Sequence, residues 1–395
     1  MNNSDKKIYF TLFFSIFAAV TGIGIVVPLL PVYAHDLGAS GLYIGLIFGA
    51  FSLSRTLFLP YFGRLSDKKG RKNLIIQGLF AYALISVAFI YSQNIQVLIA
   101  IRFLHGIASA MLMPVIQAYV GDITPEGHEG FSMGFFNMSM FLGLSIGPLL
   151  GGVIKDQFGL NTAFLSMGFF AFVGFALCLL FLPPIRSEKM VNNPKNTIEY
   201  KKLIKDREIM GLFLFRFAYT SCIGIIWGFL PIFSDSEFAM SSSKIGILIM
   251  LGVAVSGIFH IPMGWVADKI SKKIMIVTGG LLTCLALYSF VWAKGFSDLF
   301  IANILFGLGG GISTPAIMAL AMLKGNKTKA MGSVMGLITT GHSLGMLFGS
   351  LLAGIMMELS QLRHAYVIGA FIMFLGVCSF IFFVNTKLTV LPKRL

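Results

Sequence analysis

Long apolar segments constrain this chain more than any other feature of its sequence. Runs of about 20 mostly apolar residues, the length that crosses the hydrocarbon core of a bilayer, recur along the whole chain. They fall near 8–33, 42–63, 73–92, 95–120, 131–154, 161–182, 209–233, 244–267, 274–293, 297–323, 330–357 and 364–384. Because lipid offers no hydrogen-bond partners, such spans must be helical. The sequence therefore predicts an all-α membrane protein with twelve transmembrane helices.

Composition supports this interpretation. The chain is 56% hydrophobic and only 12% charged, whereas soluble domains carry roughly 25% charged residues. The excess apolar surface must face lipid. The first apolar run is too long for a signal peptide, contains Pro28 and Pro31 and lacks a small-residue cleavage site, so we interpret it as the first membrane helix.

Basic residues are distributed unevenly between the predicted loops. Three of the 30 Lys and Arg residues lie within helices, and the loops on one side hold only Lys155, Lys244, Lys294 and Arg363. Cytoplasmic loops are the ones enriched in Lys and Arg. We therefore expect a multi-pass protein of the cell (inner) membrane with both termini in the cytoplasm. The net charge of +14 then reflects topology and contact with lipid headgroups, and no nucleic-acid partner is expected.

The two halves of the sequence repeat each other. The segments that begin at Gly63 and Gly264 are similar, and so are those that end at Pro114 and Pro315. Repeated six-helix units in the same orientation predict two bundles related by a pseudo-two-fold axis along the membrane normal. We expect an N-terminal bundle over 1–183, a cytoplasmic linker over 184–208 with a short amphipathic helix in its second part, and a C-terminal bundle over 209–395.

Three motifs resemble those of one transporter family across essentially the whole chain. The loop over 63–72 (GRLSDKKGRK), the Arg-containing segment of helix 4 over 102–106 (RFLHG) and the helix 5 segment over 143–152 (GLSIGPLLGG) resemble the major facilitator superfamily. The helix 5 motif is similar to that of its antiporter branches, especially the twelve-helix drug:proton antiporters. Its residues here are Gly143, Gly147, Pro148, Gly151 and Gly152.

The resemblance implies a role for the loop after helix 2 as a latch that holds the two halves together while the transporter faces outward. The residues concerned are Gly63, Arg64, Asp67, Gly70, Arg71, Lys72, Asp122 and Asp268. A carboxylate surrounded by basic side chains, as at Asp67, can accept charge-assisted hydrogen bonds, and Asp122 is placed to pair with Arg71. The alternative is that these charges only set topology.

The helix 5 glycines are spaced by four residues, which gives a flat face for close helix packing. Such a face can guide movement and resist leak, or it can serve ordinary packing. The same segment, with its counterpart over 341–345, fits Gly-x-Ser-x-Gly, but a nucleophile elbow requires a strand, a sharp turn and a helix. No enzymatic activity is expected.

Ionisable residues inside the predicted spans are candidates for substrate binding or proton coupling, because burying them in lipid is unfavourable without a function. Two helical faces should line a cavity between the halves: Arg102 and His105 on one, and Arg216, Tyr219 and Trp227 on the other. The full set is Arg55, Arg102, His105, Arg216, Tyr219, Trp227 and His342. For Arg102 the resemblance implies charge compensation or proton-linked gating, and the alternative is an Arg bonded to helix carbonyls. Arg55 and Arg216 can instead extend to the membrane surface, and each His can serve packing.

All 16 acidic residues fall at helix ends or in loops. Many relatives carry a carboxylate in the middle of the membrane, and this chain departs from that pattern. Proton coupling would then use His, which titrates near neutral pH, or Asp36. A cavity with net positive charge should favour anionic, zwitterionic or neutral amphiphiles.

These features favour a monomeric secondary active transporter that exports a small amphiphilic molecule by proton antiport. The alternatives are uptake or facilitated diffusion of an anionic or neutral metabolite, and a non-transporting sensor on the same scaffold. No nucleotide-binding loop or metal-ligand spacing is visible, so we expect no cofactor and no metal, and an ion gradient as the energy source.

Overall fold

The computed structural model describes residues 3–123, 129–183, 203, 205–328 and 331–384. Within these residues the chain forms twelve long α-helices, and all twelve are long and apolar enough to cross a membrane. They are α1 Asn3–Asp36, α2 Gly41–Lys69, α3 Arg71–Ile90, α4 Ile95–Ile123, α5 Glu129–Phe158, α6 Leu160–Phe181, α7 Arg207–Phe238, α8 Ser242–Lys269, α9 Lys272–Val291, α10 Phe296–Thr328, α11 Met331–Leu359 and α12 Leu362–Phe383. The predicted number of membrane helices is confirmed.

Most helices extend beyond the apolar runs that predicted them. For example, α5 reaches Phe158 and includes Lys155 and Asp156, although the apolar run ends near residue 154. Helical hydrogen bonds continue to satisfy the backbone where the side chains become polar. The turns that follow are short, and Gly70 and Gly159 adopt φ values of 86° and 85°, which glycine reaches without steric cost.

The described chain divides into two compact units. The first comprises Met1–Val191 together with Trp227–Met250. In it α1 packs along α5 and α6, α2 along α4, and α3 along α4 and α6. The α1 side chains of this core, including Leu12, Ile16 and Ile25, are fully buried.

The second unit comprises Asn192–Ile226 and Leu251–Leu395. In it α9 packs along α10 and α12, and α11 contacts both α10 and α12. The first part of α7 lies against α12, where a Cβ on Gly376 would meet Ala218. Most of the predicted linker over 184–208, including its amphipathic helix, lies outside the described residues, so the predicted domain limits stay a prediction.

Large apolar side chains are exposed on helices of both units. Examples are Phe169 at 65%, Ile258 at 70% and Leu359 at 75% of full exposure. Exposed apolar surface of this extent is untenable in water and is the surface that lipid covers.

Candidate functional site

Arg102 lies in the interior of α4 and is held by its own unit. The residue is 6% exposed, and its Nε donates a hydrogen bond to the backbone oxygen of Ile47 on α2 at 3.3 Å. The guanidinium also lies over the rings of Phe51, 4.5 Å from the centroid, and Phe48, at 5.3 Å. Such a position satisfies a buried cation through a carbonyl and aromatic faces.

His105 accepts the second hydrogen bond of Arg102. Nη1 of Arg102 lies 3.2 Å from Nδ1 of His105. Because a guanidinium only donates, Nδ1 must be the unprotonated nitrogen and Nε2 carries the proton. The imidazole is fully buried and is surrounded at its edges by the rings of Phe51, Tyr82 and Phe89, with centroids 5.2, 4.8 and 6.1 Å away. Its Nε2 has no acceptor among the described residues.

Arg216 on α7 makes a similar contact in the second unit. Its Nη2 lies 3.1 Å from Nδ1 of His342 on α11, and its guanidinium carbon is 6.0 Å from the Tyr219 ring. Tyr219 stacks on Phe306 of α10 with the centroids 5.9 Å apart. The Nε and Nη1 atoms of Arg216 are buried and have no acceptor among the described residues.

The remaining ionisable and aromatic candidates are less closely associated. Arg55 on α2 is half-buried, and its Nε lacks an acceptor among the residues described. Trp227 is half-buried about three turns beyond Arg216 on α7, and it belongs to the first unit. The structure therefore brings together Arg102 with His105, and Arg216 with His342 and Tyr219.

The predicted latch is described only in part. Gly63 borders open space, and Gly70 joins α2 to α3. Arg71 is buried, and Lys72 donates to the Leu179 backbone oxygen at 3.2 Å. The side chains of four latch residues, Arg64, Asp67, Asp122 and Asp268, lie outside the described part of the chain. The latch, including the pairing of Asp122 with Arg71, stays a prediction.

The glycines of α5 face the backbone of α1. A Cβ on Gly147 would lie 2.5 Å from the Thr21 backbone oxygen, one on Gly143 would lie 3.0 Å from that of Phe17, and one on Gly151 would overlap that of Ile25. The two backbones are therefore too close to admit a side chain at Gly147 or Gly151, and a Cβ on Gly143 would be tightly packed.

The C-terminal end of α5 also meets the start of α8, within the first unit. A Cβ on Gly152 would overlap the backbone oxygen of Ser242, and one on Gly246 would overlap that of Pro148. The carboxylate of Asp156 accepts hydrogen bonds from the backbone nitrogens of Ser242 at 3.1 Å and Ser243 at 2.8 Å, and from Ser243 Oγ at 2.5 Å. It satisfies donors that the first turn of α8 leaves open.

Two polar contacts were not anticipated from the sequence. One is the Asp156 contact with α8, and the other is an ion-pair cluster in which Lys324 Nζ lies 2.8 Å from Asp206 and 2.6 Å from Glu208. The run of serines over 241–243 signals a helix start. The partner from α5 carries no sequence signal, because it is a single carboxylate at a helix end. Among the described residues no three His, Cys, Asp or Glu side chains are grouped as metal ligands.

Comparisons with known proteins agree with this architecture. A sequence model of the Major Facilitator Superfamily matches residues 12–236 and 212–394. Multidrug resistance protein 2 of Bacillus subtilis is 28% identical over 95% of this chain and 94% of its own length. Quinolone resistance protein NorA of Staphylococcus aureus is 26% identical over 89% of this chain and 90% of its own.

Solved structures show the same fold. The crystal structure of the nucleoside transporter NupG superposes with a TM-score of 0.81 at 14% identity, over 98% of this chain and all of that one. Three observations point to the same family: the sequence match across both repeats, the twelve membrane helices and the shared fold. This chain is a multi-pass membrane transporter that belongs to the major facilitator superfamily.

Proposed function

We propose that the protein is a secondary active exporter that moves small amphiphilic molecules out of the cell in exchange for protons. Relatives named for multidrug and quinolone resistance align with about nine-tenths of the chain or more. The α5 glycine motif, typical of antiporter branches, supports exchange. Alternating access of a central site to the two sides of the membrane would couple the two movements.

The observation that carries this proposal is the pair of Arg–His contacts inside the helices. Ionisable side chains at membrane depth are costly and mark substrate and proton pathways. The Arg102–His105 and Arg216–His342 contacts lie well within their helices, whereas every acidic residue in the described helices lies within three residues of a helix end. We therefore propose imidazoles as the proton carriers in this interior, with Asp36 as the alternative.

The contacts suggest how a proton would act. Each Nδ1 accepts a hydrogen bond from an arginine. A proton that binds there removes the acceptor and places two positive charges side by side, which are repelled in a medium of low dielectric constant. Proton binding would therefore displace the arginine from the imidazole. Around His105 the other groups that act on this step are Tyr82 on α3 and the Phe51 ring on α2.

Reconstituted proteoliposomes test the proposal directly. The vesicles are loaded with buffer of one pH and diluted into another, and the movement of a fluorescent amphiphile is followed. Proton antiport predicts that the amphiphile accumulates against its own gradient on the side from which protons leave. Movement in the same direction as the protons, or only down its own gradient, would contradict export by antiport.

Uptake or facilitated diffusion of an anionic or neutral metabolite is the second candidate. The lack of acidic residues in the interior of the described helices favours it, because a carboxylate is the group that binds both a proton and a cationic drug. The same vesicles distinguish the two functions. A metabolite that equilibrates without a pH gradient, or enters together with protons, identifies the second.

We further propose that a monomer lies in the cell membrane with both termini in the cytoplasm. Single cysteines at Lys72 and Lys294 in a cysteine-free variant test this orientation. A membrane-impermeant maleimide added to intact cells should label the Lys294→Cys protein and spare the Lys72→Cys protein. The opposite pattern would invert the topology.

A further inference from the structure

The guanidinium of Arg216 has buried donors that the described protein leaves unused. Of the five N–H donors of an arginine side chain, Nε carries one and each terminal nitrogen carries two. Nη2 reaches His342, whereas Nε and Nη1 are buried without an acceptor among the described residues. Three donors on one cation are therefore left for something else, and unmet buried donors are strongly unfavourable.

Arg102, in contrast, has partners for its buried donors. Its Nε is bonded to a backbone oxygen, its Nη1 to His105, and its face is covered by Phe51. Both members of that pair are sealed, since Arg102 is 6% exposed and His105 is fully buried. Arg216 and His342 are less enclosed, since each is only half-buried.

The charge of Arg216 has no acidic side chain beside it among the described residues. His342 contributes an imidazole from α11, and His260 on α8 lies within range of the Arg216 charge. Glu208 lies about two turns before Arg216 on α7, and it is already paired with Lys324. An intramembrane guanidinium normally has an anionic or carbonyl partner, and for Arg216 the described residues of its unit supply none.

The position of the guanidinium is fixed by its neighbours. Tyr219 lies on one side of it and is held in turn by its stack on Phe306. Gly310 makes room for the Tyr219 hydroxyl, which a Cβ there would overlap. A guanidinium held in one place with unsatisfied donors is preorganised to bind a planar oxyanion through two parallel hydrogen bonds.

We propose that Arg216 binds the carboxylate of an amphiphilic substrate, with His342 as the positioning residue that holds the guanidinium in place. This inference rests on the proposed transport function and assigns the class of molecule transported. Its chemistry is charge-assisted hydrogen bonding to an anion, which separates carboxylates from amides and amines of the same shape.

Three naphthalene derivatives that differ only in the polar group test this assignment. 2-Naphthoate, 2-naphthamide and 2-naphthylmethylamine are titrated into the full-length protein in a neutral detergent, and affinity is measured by calorimetry. The naphthoate should bind at least ten-fold more tightly than the other two. Equal affinity for naphthoate and the amine would overturn the proposal, whatever the variants do.

Variants locate the effect at Arg216. Arg216→Gln should reduce naphthoate affinity at least ten-fold to the level of the amide, and Arg216→Lys should retain part of it. Arg207→Gln is the matched control, since Arg207 is an exposed arginine on the same helix. If Arg216→Gln does not yield folded protein, the Arg216→Lys variant and the three-probe comparison decide. Naphthoate affinity within two-fold of wild type in either folded Arg216 variant would overturn the assignment.

The role of His342 needs a different readout. His342→Asn keeps an acceptor at the side chain and should keep naphthoate affinity within about three-fold of wild type, because the hydrogen bond to Arg216 can persist. His342→Phe removes the acceptor and should lose at least as much affinity as Arg216→Lys. Equal losses in both His342 variants would refute a positioning role.

Lipid and substrate are two sources of an oxyanion, and nanodiscs separate them. Naphthoate affinity should be the same in phosphatidylcholine discs with and without phosphatidylglycerol. Loss of naphthoate binding in the anionic discs would show that a lipid headgroup occupies the site, and it would overturn the substrate assignment. If the protein exports a cationic dye but does not bind naphthoate, this inference is refuted and the proposed export function stands.

Discussion

The guanidinium of Arg102 donates from Nη1 to Nδ1 of His105, one turn further along α4, at 3.2 Å. Arg216 and His342 form the same donor–acceptor contact between α7 and α11 at 3.1 Å. The two pairs differ in their other partners. Arg102 is satisfied by its own unit, whereas two nitrogens of Arg216 lack acceptors among the described residues. The first pair is therefore satisfied within its own unit, whereas the second is the pair for which we propose a ligand.

Arg102→Gln should lower the free energy of unfolding by about 2 kcal/mol, because it removes two buried hydrogen bonds and leaves the His105 nitrogen and the Ile47 oxygen without their donor. Unfolding in detergent, followed by circular dichroism, measures the change. Arg207→Gln, at an exposed arginine, should stay within about 0.5 kcal/mol of wild type. Equal effects of the two substitutions would show that Arg102 contributes no more than a surface charge.

Replacing the imidazole that we propose as proton carrier should uncouple substrate transport from the pH gradient. His105→Gln and His342→Gln keep an acceptor but do not titrate near neutral pH. Loss of accumulation against a gradient, with exchange of substrate retained, identifies the coupling residue in the proteoliposome assay. His364→Gln is the control, since His364 is exposed and bonded to Ser360. Full coupling in both interior variants would exclude these imidazoles and make Asp36 the next candidate.

The contact between α1 and α5 should not tolerate even one added carbon. A Cβ on Gly147 would lie 2.5 Å from the Thr21 oxygen and 2.7 Å from the Gly24 Cα, both backbone atoms. We expect Gly147→Ala to cost about 1–3 kcal/mol of stability, since the helices must move apart. Gly252→Ala is the matched helical control, because its Cβ would meet Asn303 at an ordinary 3.4 Å. Equal melting temperatures for the two variants would contradict the close packing.

The hydrogen bonds from α8 to Asp156 should contribute about 1 kcal/mol, the usual effect of capping open helix donors. Asp156→Ala removes the acceptor, whereas Asp156→Asn keeps an oxygen and removes only the charge. The thermal stability of the Ala variant should fall more than that of the Asn variant. Hydrogen exchange at 242–244 should rise in the Ala variant, and unchanged exchange would show that this cap is not stabilising.

The ion-pair cluster around Lys324 should hold the start of α7 against the end of α10. Lys324 lies between Asp206 and Glu208, and Asp206 also accepts from the backbone nitrogens of Glu208 and Ile209. Lys324→Ala leaves two neighbouring carboxylates without their cation, and because the cluster is partly exposed we expect a loss of about 1 kcal/mol. Lys324→Arg should retain most of the stability. High salt should narrow the difference between wild type and the Ala variant.

The number of membrane helices could be predicted because each must supply its own backbone hydrogen bonds over a fixed thickness. The helix ends were less predictable, since helical structure in α5 continues through Lys155 and Asp156. The contact of Arg102 with His105 follows from their spacing of three residues on one helix.

Contacts between distant segments could not be derived in the same way. Arg216 and His342 were both candidates, but their contact joins residues 126 positions apart. Periodicity shows which face of a helix a residue lies on, but not which other helix packs against that face. Asp156 looked like an ordinary charge at a helix end, because its partners on α8 are 86 and 87 positions away in the sequence. The unmet donors of Arg216 depend on the atoms around it, which no pattern of residue types encodes.

The glycine face of α5 has a mechanical consequence. No side chain separates α1 from α5 along Gly143, Gly147 and Gly151. The two helices are therefore in direct backbone contact over this length. If either helix bent or rotated alone, a gap would open between the two backbones. We therefore expect α1 and α5 to move together during the transport cycle, with bending at other helices.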